Sequence, residues 1–129
     1  MKKRTIKYRA KRKRDGVWVY GLEKPKKSNE ITLGQFFNQV ADGILDRYTL
    51  GQYTGLKDKK GVEIYGGDCF SINNRETGTR IGMAWVVWDE NELGFRLTDN
   101  MKCGEKNIHW FAKNREVIGN KYDNKNLLK

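Results

Sequence analysis

The sequence predicts a mainly β protein: a compact, twisted antiparallel sheet or partly open barrel with one short helix packed on it. Three observations carry that prediction. Residues 6–12 alternate, with Ile6, Tyr8 and Ala10 on one side and Lys7, Arg9 and Lys11 on the other, the period of a half-buried strand. Residues 80–88 form the most apolar run of the chain, with Met83, Trp85 and Val87 on one side and Ala84, Val86 and Trp88 on the other. Both faces are apolar, so this strand is expected at the centre of a sheet, covered on both sides. Residues 51–70 (GQYTGLKDKKGVEIYGGDCF) are dense in turn residues between short extended pieces.

Taken in order, the first strand meets Arg14-Asp15-Gly16, a hairpin turn, and returns through Val17-Trp18-Val19-Tyr20. Residues 22–30, with Pro25, read as a polar loop. Thr32 and Gln35 stand in capping-box spacing and open a helix whose Phe36, Val40 and Ile44 form one stripe, with Gly43 as its C-terminal stop. Such a stripe is core rather than a binding groove, and Gly34 weakens the helix. In the punctuated stretch, residues 52–54 favour a strand and residues 57–61 a turn. Residues 62–65 are extended, Gly66-Gly67 is a sharp bend, and residues 69–72 are another strand. Gly55, Gly61, Gly66 and Gly67 mark positive φ or close backbone approach. Residues 75–78 are a turn, residues 89–94 a hairpin loop, residues 95–98 a strand and residues 99–107 a loop containing Cys103. Residues 108–111 and 116–122 read as the last strands, and residues 124–128 as a closing helical turn. At 129 residues this is one domain: a basic N-terminal hairpin over 1–21, a loop plus short helix over 22–48, and a β core over 49–129.

The net charge of +10 is unevenly placed. Residues 1–27 hold 12 Lys/Arg against Asp15 and Glu23, whereas residues 28–129 balance at 14 of each sign. The whole imbalance therefore sits on the hairpin and the loop after it. If it serves binding, Lys2, Lys3, Arg4, Lys7, Arg9, Lys11, Arg12, Lys13 and Arg14 meet phosphates and Tyr8 or Trp18 stacks on bases. The bland reading is a solvated basic edge that blocks sheet-to-sheet aggregation.

The chemistry that would signal an enzyme is missing. The sequence contains no P-loop, no dinucleotide fingerprint and no paired-histidine zinc motif. Cys69, Cys103 and His109 are too few and too scattered for a structural zinc site. A cysteine hydrolase would need Cys69 or Cys103 with His109, and no orienting carboxylate or oxyanion hole stands at a readable spacing. Asp89, Glu90 and Glu92 lack calcium-loop spacing and read as turn acids. No cofactor and no metal is expected. The basic N-terminus lacks an apolar signal core, and the longest apolar run, 83–88, is too short to span a bilayer, so a cytoplasmic protein with reduced thiols is expected.

Two blocks resemble the YopX protein family of bacterial phages and prophages. The first is Gly51-Gln52-Tyr53-Thr54-Gly55-Leu56-Lys57-Asp58, then Gly61, Glu63-Ile64-Tyr65 and Gly67-Asp68; the second is Glu116-Val117-Ile118-Gly119-Asn120, Tyr122, Asn124 and Leu127-Leu128. Ile6-Lys7-Tyr8-Arg9-Ala10 is similar to the family's first strand, while residues 22–45 and 74–115 match only loosely. Gly66 stands where an acid precedes Gly-Asp, Cys69-Phe70 replace an aliphatic pair and Lys121 an aliphatic. Lys11 replaces an aromatic and joins Arg12, Lys13 and Arg14 in a basic cluster that the family pattern does not require. The resemblance implies a small, mainly β phage or prophage protein in the bacterial host's cytoplasm, and no established activity. The expected function is a non-enzymatic module contacting nucleic acid through the hairpin. The alternative is a module that binds a host or phage protein, or assembles with itself through the two-faced apolar strand.

Overall fold

The structure, a computed structural model, describes residues 5–99 and 107–124. The chain forms two compact units, Met1–Gly55 and Leu56–Lys129, so the boundary falls inside the glycine-rich stretch. The expected mainly β architecture is present, as two sheets with two short helices among the described residues.

In the first unit, β1 (Lys7–Arg12) and β2 (Trp18–Leu22) form the expected hairpin, with Tyr8 opposite Gly21 and Ala10 opposite Val19. A loop then doubles back so that β3 (Glu30–Thr32) runs parallel to β2. This short strand and its parallel sense depart from the expected loop and antiparallel sheet. Its hold is local: the Glu30 carboxylate accepts from the backbone N–H groups of Lys26 and Lys27, both at 2.9 Å, and the Tyr20 N–H donates to the Asn29 carbonyl. Helix α1 (Leu33–Ala41) opens at the predicted capping box: the Thr32 hydroxyl accepts from the Gln35 N–H, and the Gln35 side chain accepts from the Thr32 N–H. It closes by a paired C-terminal motif, in which the Gly43 N–H reaches the Val40 carbonyl and the Ile44 N–H the Gln39 carbonyl. Gly43 is thus the predicted stop. Ile44 falls outside the helix and is exposed rather than on its buried stripe.

Phe36 is the anchor of α1, fully buried with Ala10, Val19 and Leu45. It lies so close to β2 that a Cβ on Gly21 would stand 2.5 Å from its ring. Only glycine lets the helix seat there. Strand β4 (Leu45–Lys57) pairs antiparallel with β1 on the side away from β2 and runs across the unit boundary.

In the second unit, a turn follows β4 and leads to β5 (Glu63–Tyr65). Then β6 (Asp68–Asn73), β7 (Arg80–Asp89), β8 (Gly94–Asp99) and β9 (Gly119–Asn120) make a sheet of order β8-β7-β6-β9. β7 is interior, as its apolar run predicts. Ala84 and Val86 point into a core of Ile64, Phe70, Leu97, Ile108, Phe111 and Ala112. On the other face Met83 is buried and Trp85 and Val87 are half-buried; Trp88, at the end of the Ala84–Val86 face, is 48% exposed with its ring edge on Phe95, so full burial of both faces is not reached.

The expected strand over residues 108–111 is a helix, α2 (Ile108–Asn114). The Asn107 side-chain oxygen accepts from the backbone N–H groups of His109 and Trp110, an N-cap that commits the following turn to helix. Ile108, Phe111 and Ala112 then fall on one buried face. The expected strand over 116–122 shrinks to the two residues of β9. The loop containing Cys103 and the closing turn beyond Asn124 lie outside the described residues.

Two features hold the second unit's turns. The buried Asp58 carboxylate accepts three backbone N–H groups at 2.9 Å: Lys60 and Val62 on one oxygen, and Val117 on the other. Burial pushes this carboxyl up, but the bonds from Val117, Val62 and Lys60, with the Lys60 charge, outweigh it and hold its pKa below the usual value. Gly67, with φ of +93°, packs so tightly that a Cβ would meet the Tyr122 ring at 2.8 Å.

Two outcomes follow. Gly67→Val is expected to lower stability by about 1–3 kcal/mol from backbone strain alone, and more through the Tyr122 clash, read as a lower urea midpoint. Unchanged stability with altered binding would reverse this structural assignment. Asp58→Asn keeps one oxygen for the turn but sets an NH2 against the Val117 N–H, at a cost of about 1–3 kcal/mol. Because the folded pKa of Asp58 is depressed, its contribution is present above the unfolded value of about 3.9 and lost as pH falls below it. Thermal melts from pH 6 down to about 2 should show wild type converging on Asp58→Asn; parallel curves would refute the linkage.

Candidate nucleic-acid interface

The β1–β2 hairpin is shaped by the alternation read in its sequence. Lys7, Arg9 and Lys11 share one face of β1, while Ala10 faces the helix-covered core. Tyr8 lies with Ala10, not with the cations: its ring packs at 4.9 Å on Phe37 and 6.4 Å on Phe36. It is therefore an aromatic of the core flank and is not presented beside the charges.

Trp18 stands opposite Lys11 on β2 and gathers the cationic face. The Arg9 guanidinium sits 4.4 Å from the Trp18 ring centre and the Lys11 ammonium 5.7 Å from it, while the Lys7 ammonium lies 5.8 Å from the Tyr53 ring. Arg9 is only 7% exposed, so its charge is spent within the fold on the indole face. Arg12 is spent too. Its Nε and Nη2 grip the two oxygens of Asp15 at 2.8–3.2 Å, and Asp15 also caps the turn by accepting from the Val17 N–H. The Arg12 side-chain bond, with lesser help from the Val17 N–H and nearby charges, draws the Asp15 carboxyl down to about 2.

What the hairpin presents to solvent is its tip. Lys13 and Arg14 are exposed, with the Arg14 Nε 3.8 Å from an Asp15 oxygen already bound by Arg12. The Lys13 N–H donates to the Ile44 carbonyl, which fastens the tip beside the turn after α1. Lys2, Lys3 and Arg4 lie outside the described residues. The six described cations of the nine thus separate into structural charges at Arg9 and Arg12 and displayed ones at Lys13 and Arg14, with Lys7 and Lys11 half-buried on the aromatic face.

Arg47 and Tyr48 were not anticipated. The β1–β4 register pairs Arg9 with Gly51 but Lys11 with Asp46, so the intervening residues of β4 bulge out. The Thr49 hydroxyl accepts from the Lys11 N–H at 2.8 Å and donates to the Asp46 carbonyl at 2.7 Å, while the Asp46 carboxylate accepts from the Tyr48 N–H. The bulge displays Tyr48, 74% exposed, with the Arg47 guanidinium 5.0 Å from its ring. Adjacent Arg-Tyr within a strand was the available signal, but the register shift that turns both residues outward depends on pairing with β1.

Elsewhere, Cys69 is buried and its thiol is pushed up to about 11, first by burial and then by the Asp68 charge, which leaves it protonated at neutral pH. His109 is exposed at the start of α2, and Cys103 is not among the described residues. Among the described residues, no group of three or more His, Cys, Asp or Glu could hold a metal ion, and no helix is long and apolar enough to cross a membrane.

No curated protein matches the chain. Among solved structures, the crystal structure of protein EF1440 from Enterococcus faecalis is similar at 23% identity and a TM-score of 0.54, covering 96% of this chain and 98% of that one. That likeness concerns the fold. The family model described as YopX protein matches residues 7–129, nearly the whole length and including both sequence blocks. This chain belongs to the YopX protein family.

Proposed function

We propose that this protein is a phage- or prophage-encoded accessory module of the bacterial cytoplasm that binds nucleic acid without catalysis, through the tip of its basic hairpin. The observation that carries this reading is the charge asymmetry: the whole excess of +10 belongs to residues 1–27, whose two acids are Asp15 and Glu23. Asp15 is already taken by Arg12. Exposed Lys13, and Arg14 that shares the Asp15 carboxylate at 3.8 Å, therefore face solvent as charge in excess of the local acid, the pattern that exchanges counterions for phosphates. Tyr48 and Arg47 on the bulge add a stacking surface of the kind used on unpaired bases. Backbone contacts of this type read charge and shape rather than base sequence.

If about five phosphates are neutralised on a duplex, log K falls with log salt at a slope of about −4.5. The double variant Lys13→Gln/Arg14→Gln is expected to flatten that slope by about 2 and to weaken binding alike on unrelated sequences. Filter binding or fluorescence anisotropy across a salt series reads both. Absence of binding at about 50 mM salt, or an unchanged slope in the variant, rules out the hairpin as a phosphate contact.

A second reading, a module that binds protein or assembles with itself, draws on the apolar end of the β7–β8 hairpin, where Leu93 is 75% and Trp88 48% exposed. Sedimentation velocity decides the self-association half: concentration-dependent dimers lost in Leu93→Ser support it, and a strict monomer removes it.

A further inference from the structure

We infer that the second unit carries a separate anion site, a cleft shaped for one nucleotide. The cleft has a volume of about 270 Å³ and lies where the end of β6 and the following turn face α2 and the residue after it. That is the small end of ligand clefts, with room for a base and its phosphate but not for a duplex.

Among the described residues, the charged lining is of one sign. Arg75 enters from the turn after β6 and Arg115 from the end of α2, and neither meets a carboxylate among the described residues. Among the described residues, no Asp or Glu lines the cleft. Two side-chain amides, Asn73 and Asn107, and the Ser71 hydroxyl, which donates to the Asn73 oxygen, also line it. The Asn107 oxygen is consumed by the backbone N–H groups of His109 and Trp110, which fixes the amide and leaves its NH2 as a donor. Arg115 gives one N–H to the Asn114 carbonyl, leaving further donors on its planar fork. The two guanidinium groups thus line one cleft with no carboxylate among the described residues, which selects an anion and favours the bidentate geometry of phosphate.

The aromatic wall narrows the class further. Trp110 is 47% exposed although its ring edge packs on Phe111 at 5.2 Å. The Arg115 guanidinium lies 4.9 Å from the Trp110 ring centre, so cation and indole form one surface on which a planar base can stack. A bare inorganic anion would leave that surface unused. A nucleotide uses both halves, whether free or as one unit of an unpaired strand. This site stands on its own residues and does not depend on the hairpin.

Isothermal titration calorimetry on the full chain tests it with adenosine 5′-monophosphate, adenosine and inorganic phosphate. The monophosphate is expected to bind at least about tenfold more tightly than either fragment. Arg75→Gln, on an exposed turn where folding is not at stake, and Arg115→Gln should each weaken it about tenfold, the equivalent of one charged hydrogen bond. Lys13→Gln/Arg14→Gln should leave that affinity unchanged, which separates this cleft from the hairpin. In that same double variant, a short oligodeoxyadenylate binding at least about tenfold more tightly than the monophosphate identifies an unpaired strand as the source, and equal or weaker binding identifies the free nucleotide. Both require that Arg75→Gln reduce the affinity. The inference is overturned if the monophosphate binds no better than phosphate, or if Arg75→Gln leaves its affinity intact.

Discussion

One carboxylate organises the second unit. Asp58 satisfies three backbone N–H groups at once, two within its own turn and one 59 residues further along at Val117. A buried acid is costly unless its lone pairs are filled, and here backbone donors fill them. The bond to Val117 brings the C-terminal segment onto the turn, and the Lys59 N–H adds a second tie to the Arg115 carbonyl. From that fixed point the segment runs beside β6: the Ile118 N–H donates to the Cys69 carbonyl, and the Lys121 N–H to the Gly67 carbonyl. Asn120 then folds the chain back, its oxygen accepting from the Tyr122 and Asp123 N–H groups while Asn124 accepts from the Asn120 N–H. Asp58 meets Val117, Gly67 meets Tyr122, Asp68 pairs with Asn120 and Gly119 packs on Asn124, all residues through which the chain resembles its family. The glycine-rich stretch and the C-terminal block are two halves of one structural device. Its glycines serve packing and turns; the Tyr122 ring fills the space where a ligand or phosphate loop would need room.

The parts of the fold that were legible in the sequence are those set by local chemistry. The capping box at Thr32, the stop at Gly43 and the hairpin turn at Asp15-Gly16 each specify backbone geometry within a few residues. The two-faced run of β7 gave its interior position because burial of both faces leaves little choice. Residues 108–111 were misread for an equally physical reason. Four residues with apolar members fit either period, and only the side chain of Asn107, one residue earlier, decides for helix. β3 was hidden because three residues carry no period. Its pairing depends on Glu30 gripping the N–H groups of its own loop.

The candidate site was legible as charge and illegible as function. A sequence shows nine cations, but not which of them the fold consumes. Trp18 takes Arg9, and Asp15 takes Arg12, because strand pairing places these partners within reach. The same pairing moves Tyr8 to the opposite face and pushes Tyr48 out on the bulge. A charge run therefore overstates its own binding surface. What is left over among the described residues once internal partners are assigned, Lys13 and the weakly paired Arg14 at the tip, is the quantity that bears on a partner.

The converse holds in the second unit. Residues 56–129 hold 13 Lys/Arg against 11 Asp/Glu, and so small a net argues against an anion site only if the charges mix evenly. They do not. Asp89 is held by Arg96 at 2.7 Å and Glu116 meets Lys60 at 3.5 Å, whereas Arg75 and Arg115 line a cleft that has no acid among the described residues. At an effective dielectric of about 20, a pair at 4 Å interacts by roughly 4 kcal/mol, and the Debye length of about 8 Å damps the contribution of charges beyond it. Local composition within that radius, rather than the balance of the chain, decides what a cleft attracts. Arg75 and Arg115, lining one cleft with a half-exposed indole, make such a local excess from a nearly balanced stretch.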